Sequence, residues 1–81
     1  MNRSFSDTWE LVGRAVGMFR DWGHLPVVQI YSDVITIKLE AERIITKLVP
    51  LEGADKFECF AKGGCLIICW WFYFDDTEDK L

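Results

Sequence analysis

Between residues 4 and 22 the apolar positions fall at helical spacing. Phe5, Trp9, Val12, Val16 and Phe19 recur every three or four residues, with Leu11, Ala15, Met18 and Trp22 in a flanking row. Ser4 and Ser6 compete as N-caps, Asp7 with Glu10 resembles a capping box, and Gly23 suits the position just past the last turn. Pro26 then forbids continuation. The opposite face of this helix reads Glu10, Gly13, Arg14, Gly17, Arg20 and Asp21. Two interior glycines weaken a helix by about 1 kcal/mol each relative to alanine. Either the packed face tolerates that loss, or Gly13 and Gly17, one turn apart, admit close approach by another chain.

From Pro26 the period changes to two. Val28 and Ile30 alternate with Gln29 and Tyr31, and Ser32-Asp33 marks a turn or bulge. Ile35, Ile37 and Leu39 then face one way while Thr36, Lys38 and Glu40 face the other, as in a half-buried strand. Residues 44–49 fit a further strand or a short helix, the adjacent isoleucines favouring the strand. Residues 50–55 read as a loop. Lys56 to Lys62 and Cys65 to Phe74 form a hairpin about Gly63-Gly64. The pattern predicts an α+β fold: one N-terminal amphipathic helix packed on an antiparallel sheet of four to five strands. Residues 1–74 form the single domain, and residues 75–81 an acidic, disordered tail.

The run from Cys65 to Phe74 is apolar without interruption. It is half of the ~20 residues that a membrane-spanning helix needs, so no membrane partner is expected. As a strand it presents Cys65, Ile67, Cys69, Trp71 and Tyr73 on one side and Leu66, Ile68, Trp70, Phe72 and Phe74 on the other. Both sides are apolar, and one helix covers one face of a sheet. The cysteine-bearing side alternates large and small residues, which suits a closely packed helix. That reasoning places Trp71 in the core and assigns Trp70, Phe72 and Phe74 to a partner-binding surface.

Composition sharpens this expectation. An 81-residue chain buries only about 60–65% of its unfolded surface, yet 51% of these residues are hydrophobic and four are tryptophan. Excess apolar surface of this kind is commonly hidden against a second copy or another protein. The net charge of −4 lies mostly in the tail, where four acids meet one lysine. The body holds no basic stripe that would neutralise phosphates, so nucleic acid is not an expected partner. Three cysteines, an odd number, and an N-terminus without an apolar leader point to a reducing cytoplasm. Cys65 and Cys69 share a spacing that zinc sites use, but in a strand they lie about 13 Å apart at ~3.3 Å per residue. Cys59 and His24 would have to be recruited from elsewhere, so Cys59, Cys65 and Cys69 read as buried small hydrophobes, with neither metal nor cofactor.

No phosphate loop, glycine fingerprint or nucleophile–base spacing is present. A helix leading into His24 and Pro26, followed by Tyr31, Val34 and Leu39 on successive strands, resembles the pterin-4a-carbinolamine dehydratases. The resemblance spans about a quarter of the chain. It implies a small α+β protein binding a heterocycle near His24, Trp22 and Tyr31. The chain departs from that family's paired histidines: Leu25 replaces the second, and Glu40-Ala41 stands where a threonine-histidine ends the second strand. The long helix that should follow is not apparent in residues 51–81. Acid–base dehydration is not expected from one remaining histidine. The leading expectation is a non-catalytic protein-binding chain, regulatory or inhibitory, that meets another protein or a second copy of itself; the alternative is a divergent pterin-binding protein.

Overall fold

The computed structural model describes residues 3–41 and 51–75. One helix, α1 (Phe5–Asp21), packs on a four-stranded antiparallel sheet of β1 (Val27–Ile30), β2 (Val34–Ala41), β3 (Lys56–Lys62) and β4 (Cys65–Tyr73). The strand order is β1-β2-β4-β3. The expected element at residues 44–49 lies outside the described residues, as do tail residues 76–81. Among the described residues no helix is long and apolar enough to cross a membrane.

The ends of α1 follow from local chemistry. Ser4 is the N-cap, and its hydroxyl accepts from the Asp7 N–H at 3.1 Å. Glu10 does not close a capping box; it accepts instead from Arg14, one turn on. At the other end the Gly23 N–H reaches the Arg20 carbonyl and the His24 N–H reaches that of Phe19, at 3.0 and 2.9 Å. This pair of bonds, with Gly23 at a φ of +86°, is a Schellman stop. In the second hairpin both turn glycines, Gly63 and Gly64, take positive φ, as a two-residue connection with the right twist demands.

Helix α1 lies over the two central strands, β2 and β4. Its Val12, Ala15 and Phe19 meet Ile35, Ile37 and Leu39 of β2 and Ile68, Trp70 and Phe72 of β4. Phe19 and Trp70 approach to 5.1 Å between ring centres, and Phe5 meets Phe74 edge-on at 5.2 Å. Leu51 and Ala54 extend the cover on the β3 side.

The expected assignment of the β4 faces is therefore reversed. Trp70 and Phe72 are 2% and 0% exposed, and Phe74 is half-buried against the helix, so these three belong to the core. Trp71 and Tyr73 lie on the other side. Pairing register explains the reversal. Ile35, Ile37 and Leu39 stand opposite Phe72, Trp70 and Ile68, whereas Thr36, Lys38 and Glu40 stand opposite Trp71, Cys69 and Ile67. Directly paired residues share a face. Placing Trp71 under the helix would bury Lys38 and Glu40 there too, a desolvation that outweighs any gain from alternating large and small side chains. One imperfection remains in the chosen core: the buried indole N–H of Trp70 meets no acceptor.

This packing predicts that Phe72→Ala loses about 3–5 kcal/mol of stability, as a fully buried aromatic does. Trp71→Ala, at a half-buried site, loses roughly 1–2 kcal/mol. Urea titration of both variants measures the order; a larger loss for Trp71→Ala contradicts the register.

Candidate functional site

The sheet face opposite α1 is built from β4 outward. Down its middle run Tyr73, Trp71, Cys69, Ile67 and Cys65. Along one flank the β2 positions Lys38 and Glu40 are exposed, and along the other lie Lys56, Glu58, Phe60 and Lys62 of β3. Tyr73 and Phe60 expose 45% and 46% of their surface, one near each end of the strip. Ile67 is buried between its long neighbours, and Trp71 is half-covered by the Lys56 ammonium, 4.8 Å above its ring. The strip is apolar along its middle and bordered by side chains of both charge signs.

One end of the strip is fixed by a polar clamp. The Arg3 guanidinium donates to the Gly53 carbonyl, the Asp55 carboxylate and the Tyr73 carbonyl at 2.6, 2.5 and 3.3 Å. The same Asp55 oxygen accepts from the Tyr73 N–H at 2.8 Å, and the Asp55 N–H donates to the Trp71 carbonyl. The Asp75 N–H in turn donates to the Arg3 carbonyl. The Tyr73 backbone is thus held through both its N–H and its carbonyl, while its ring stays exposed.

The three thiols are divided between the two sides of the sheet. Cys59 stands opposite Ile68 and packs with the core, while Cys65 and Cys69 lie on the open side. Among the described residues no three His, Cys, Asp or Glu side chains gather where they could hold a metal ion. All three cysteines are free. Burial pushes the Cys69 thiol above its ordinary range; Lys38 on one flank pulls it down and Glu58 on the other pushes it up.

Gly13 and Gly17 are exposed on the outer face of α1, with open space where each Cβ would stand. Trp22 and Tyr31 are exposed and His24 is half-buried. A groove of about 200 Å³ is lined by Leu11, Met18 and Leu51, and another of about 220 Å³ by Leu25, Val27, Gln29, Lys38 and Glu40. Neither is lined by Trp22, His24 or Tyr31. The residues that sequence reasoning missed are Trp71, Tyr73 and Phe60. Their signal was present in β2, whose polar set Thr36, Lys38 and Glu40 identifies the uncovered side.

Two expectations follow. The double variant Gly13→Ala, Gly17→Ala should gain about 1–2 kcal/mol, because neither methyl meets an obstacle and both reduce helix entropy loss; thermal unfolding reads the gain, and a loss would mean these glycines serve a contact. For Cys69, a folded-state pKa above the unfolded one favours the neutral thiol. Its stabilising contribution is complete below the unfolded thiol's ordinary value and is lost as pH rises through the higher folded value. Labelling of Cys69 by iodoacetamide should accordingly reach half-rate at a higher pH in the folded chain than in urea, as peptide mass spectrometry would show.

No family model matches this chain, and comparison with curated proteins and with solved structures likewise gives no match.

Proposed function

We propose that this chain is a small binding protein, without a reaction of its own, that docks another protein on the open face of its sheet. The observation that carries this reading is the pair Phe60 and Tyr73, large aromatics left nearly half exposed on a face that α1 does not cover. Between them the β4 strip supplies apolar area, and Lys38, Glu40, Lys56, Glu58 and Lys62 supply a rim that selects the partner's charge pattern. Aromatic side chains anchored on rigid backbone are the usual carriers of binding energy, and Tyr73 is held in that way by Arg3 and Asp55. A regulatory or inhibitory role suits such a chain, since occupying a partner's surface is all the chemistry it requires.

The dehydratase resemblance asks instead for one heterocycle held by Trp22, His24 and Tyr31. Those residues line neither groove described above, so the sheet face is the preferred reading.

The test compares the wild-type chain with Phe60→Ser, Tyr73→Ser in chemical cross-linking from native lysate. Both sites are exposed, so the variant should unfold within a few degrees of wild type. Loss of two anchors should reduce the captured partner at least tenfold, which is about 1.4 kcal/mol. An unchanged set of cross-linked proteins would remove the open face as the site.

A further inference from the structure

The two edges of the sheet are treated differently by the sequence. The β3 edge carries Lys56, Glu58 and Lys62, the charged side chains that ordinarily keep an edge strand from pairing. The β1 edge, Val27-Val28-Gln29-Ile30, carries no charge, and Leu25 and Tyr31 flank it. Val27, Ile30 and Tyr31 are 54%, 53% and 51% exposed.

Register identifies the backbone groups that this edge offers. The Tyr31 N–H donates to the Val34 carbonyl at 2.8 Å, and the same alignment pairs Gln29 with Thr36 and Val27 with Lys38. In an antiparallel ladder, hydrogen-bonded and non-bonded pairs alternate. Tyr31, Gln29 and Val27 therefore direct their amides at β2, and Val28 and Ile30 direct theirs outward. Those outward groups meet no partner among the described residues.

We propose that the β1 edge pairs antiparallel with the β1 edge of a second copy of this chain, about a two-fold axis at Gln29. That register opposes Val28 to the partner's Ile30 and Ile30 to the partner's Val28. All the outward N–H and carbonyl groups of both residues are then satisfied, four hydrogen bonds in total. Pro26, with no N–H to give, ends the ladder at one side. On the helix side each Val28 meets an isoleucine. On the open side each Val27 meets the partner's Tyr31, whose ring belongs to that side because its hydroxyl donates to the Gln29 side chain at 3.1 Å. Val27 lines the 220 Å³ groove, so the partner's Tyr31 falls at its mouth. No like charges are opposed along the seam, whereas a pairing of two β3 edges would bring lysines and glutamates into it. The axis stands perpendicular to the sheet, so the product is an eight-stranded sheet with both helices on one side. The two open faces become one continuous surface. The seam uses neither docking anchor, Phe60 or Tyr73, although the groove at which the partner's Tyr31 falls shares Lys38 and Glu40 with the docking rim; the Gln29 variants and the Phe60, Tyr73 variant therefore test the two readings separately.

The interface is small, at the low end of specific contacts, so the test is sedimentation of the full chain from about 5 to 500 μM with charge variants on the axis. The wild type should pass from monomer to dimer across that range, with exchange of the Val28 and Ile30 amides slowed at least tenfold at the upper concentration. Gln29→Glu alone and Gln29→Lys alone should each remain monomeric, and an equimolar mixture of the two should dimerise. Gln29 is exposed, so circular dichroism should show both variants folded. If one of them fails to fold, Tyr31→Ser, which removes two apolar pairs per dimer, replaces it and should raise the dissociation constant at least tenfold. A wild type that stays monomeric at 500 μM overturns the proposal. So does a dimer that ignores residue 29, or one whose Val28 and Ile30 amides exchange no more slowly than in the monomer.

Discussion

A single seventeen-residue helix must seal a sheet of four strands, and it is only wide enough for two of them. Helices have a diameter of about 10 Å and strands lie about 4.8 Å apart. The apolar stripe of α1 therefore closes over β2 and β4, where Ile35, Ile37, Ile68 and Phe72 lose all contact with solvent. The edge strands are left to their own devices. β3 borrows Leu51 and Ala54 from the preceding loop and turns Phe57 against Trp70. β1 turns Val28 inward and leaves Val27 and Ile30 exposed.

The same constraint shapes the surface left over. Because the helix occupies one side, the β4 strip on the other is covered, among the described residues, by its neighbours' long side chains. Lysine and glutamate stems can shade apolar groups while their heads stay in water. This is how Ile67 is buried and Trp71 half-buried on a face that no helix or strand crosses among the described residues. Where that shading ends, at Phe60 and Tyr73, aromatic surface stays exposed. The clamp of Arg3 and Asp55 ties Arg3 and the 51–55 loop to the Tyr73 end of the sheet. The side chains under the helix are thus closely packed, while Phe60 and Tyr73 on the other face stay nearly half exposed.

Much of the local structure was legible in the chain. Ser4, Gly23 and Pro26 bracket the helix because caps depend on residues within one turn of each other. Gly63-Gly64 places the hairpin because two consecutive positive φ values exclude most other residues. The alternation in β2 marks a half-buried strand because pleating repeats every two residues. The cysteine-bearing side of β4, by contrast, was matched to the helix from its own pattern of sizes. A strand that is apolar on both sides contains no local signal for which side faces inward.

The sequence by itself therefore determined the helix, the strands of the described residues and the one-helix-on-antiparallel-sheet class, since their periodicity and caps rest on near neighbours; it left Ser4 and Ser6 competing as the N-cap. Tertiary structure alone decided that β4 inserts between β2 and β3, and that Trp70 and Phe72 lie inside while Trp71 and Tyr73 lie outside. Those outcomes rest on a pairing between strands far apart in the chain, such as Ile35 with Phe72, 37 positions on. There the charges of Lys38 and Glu40, which must reach water, fix the orientation of a strand that has no charge of its own.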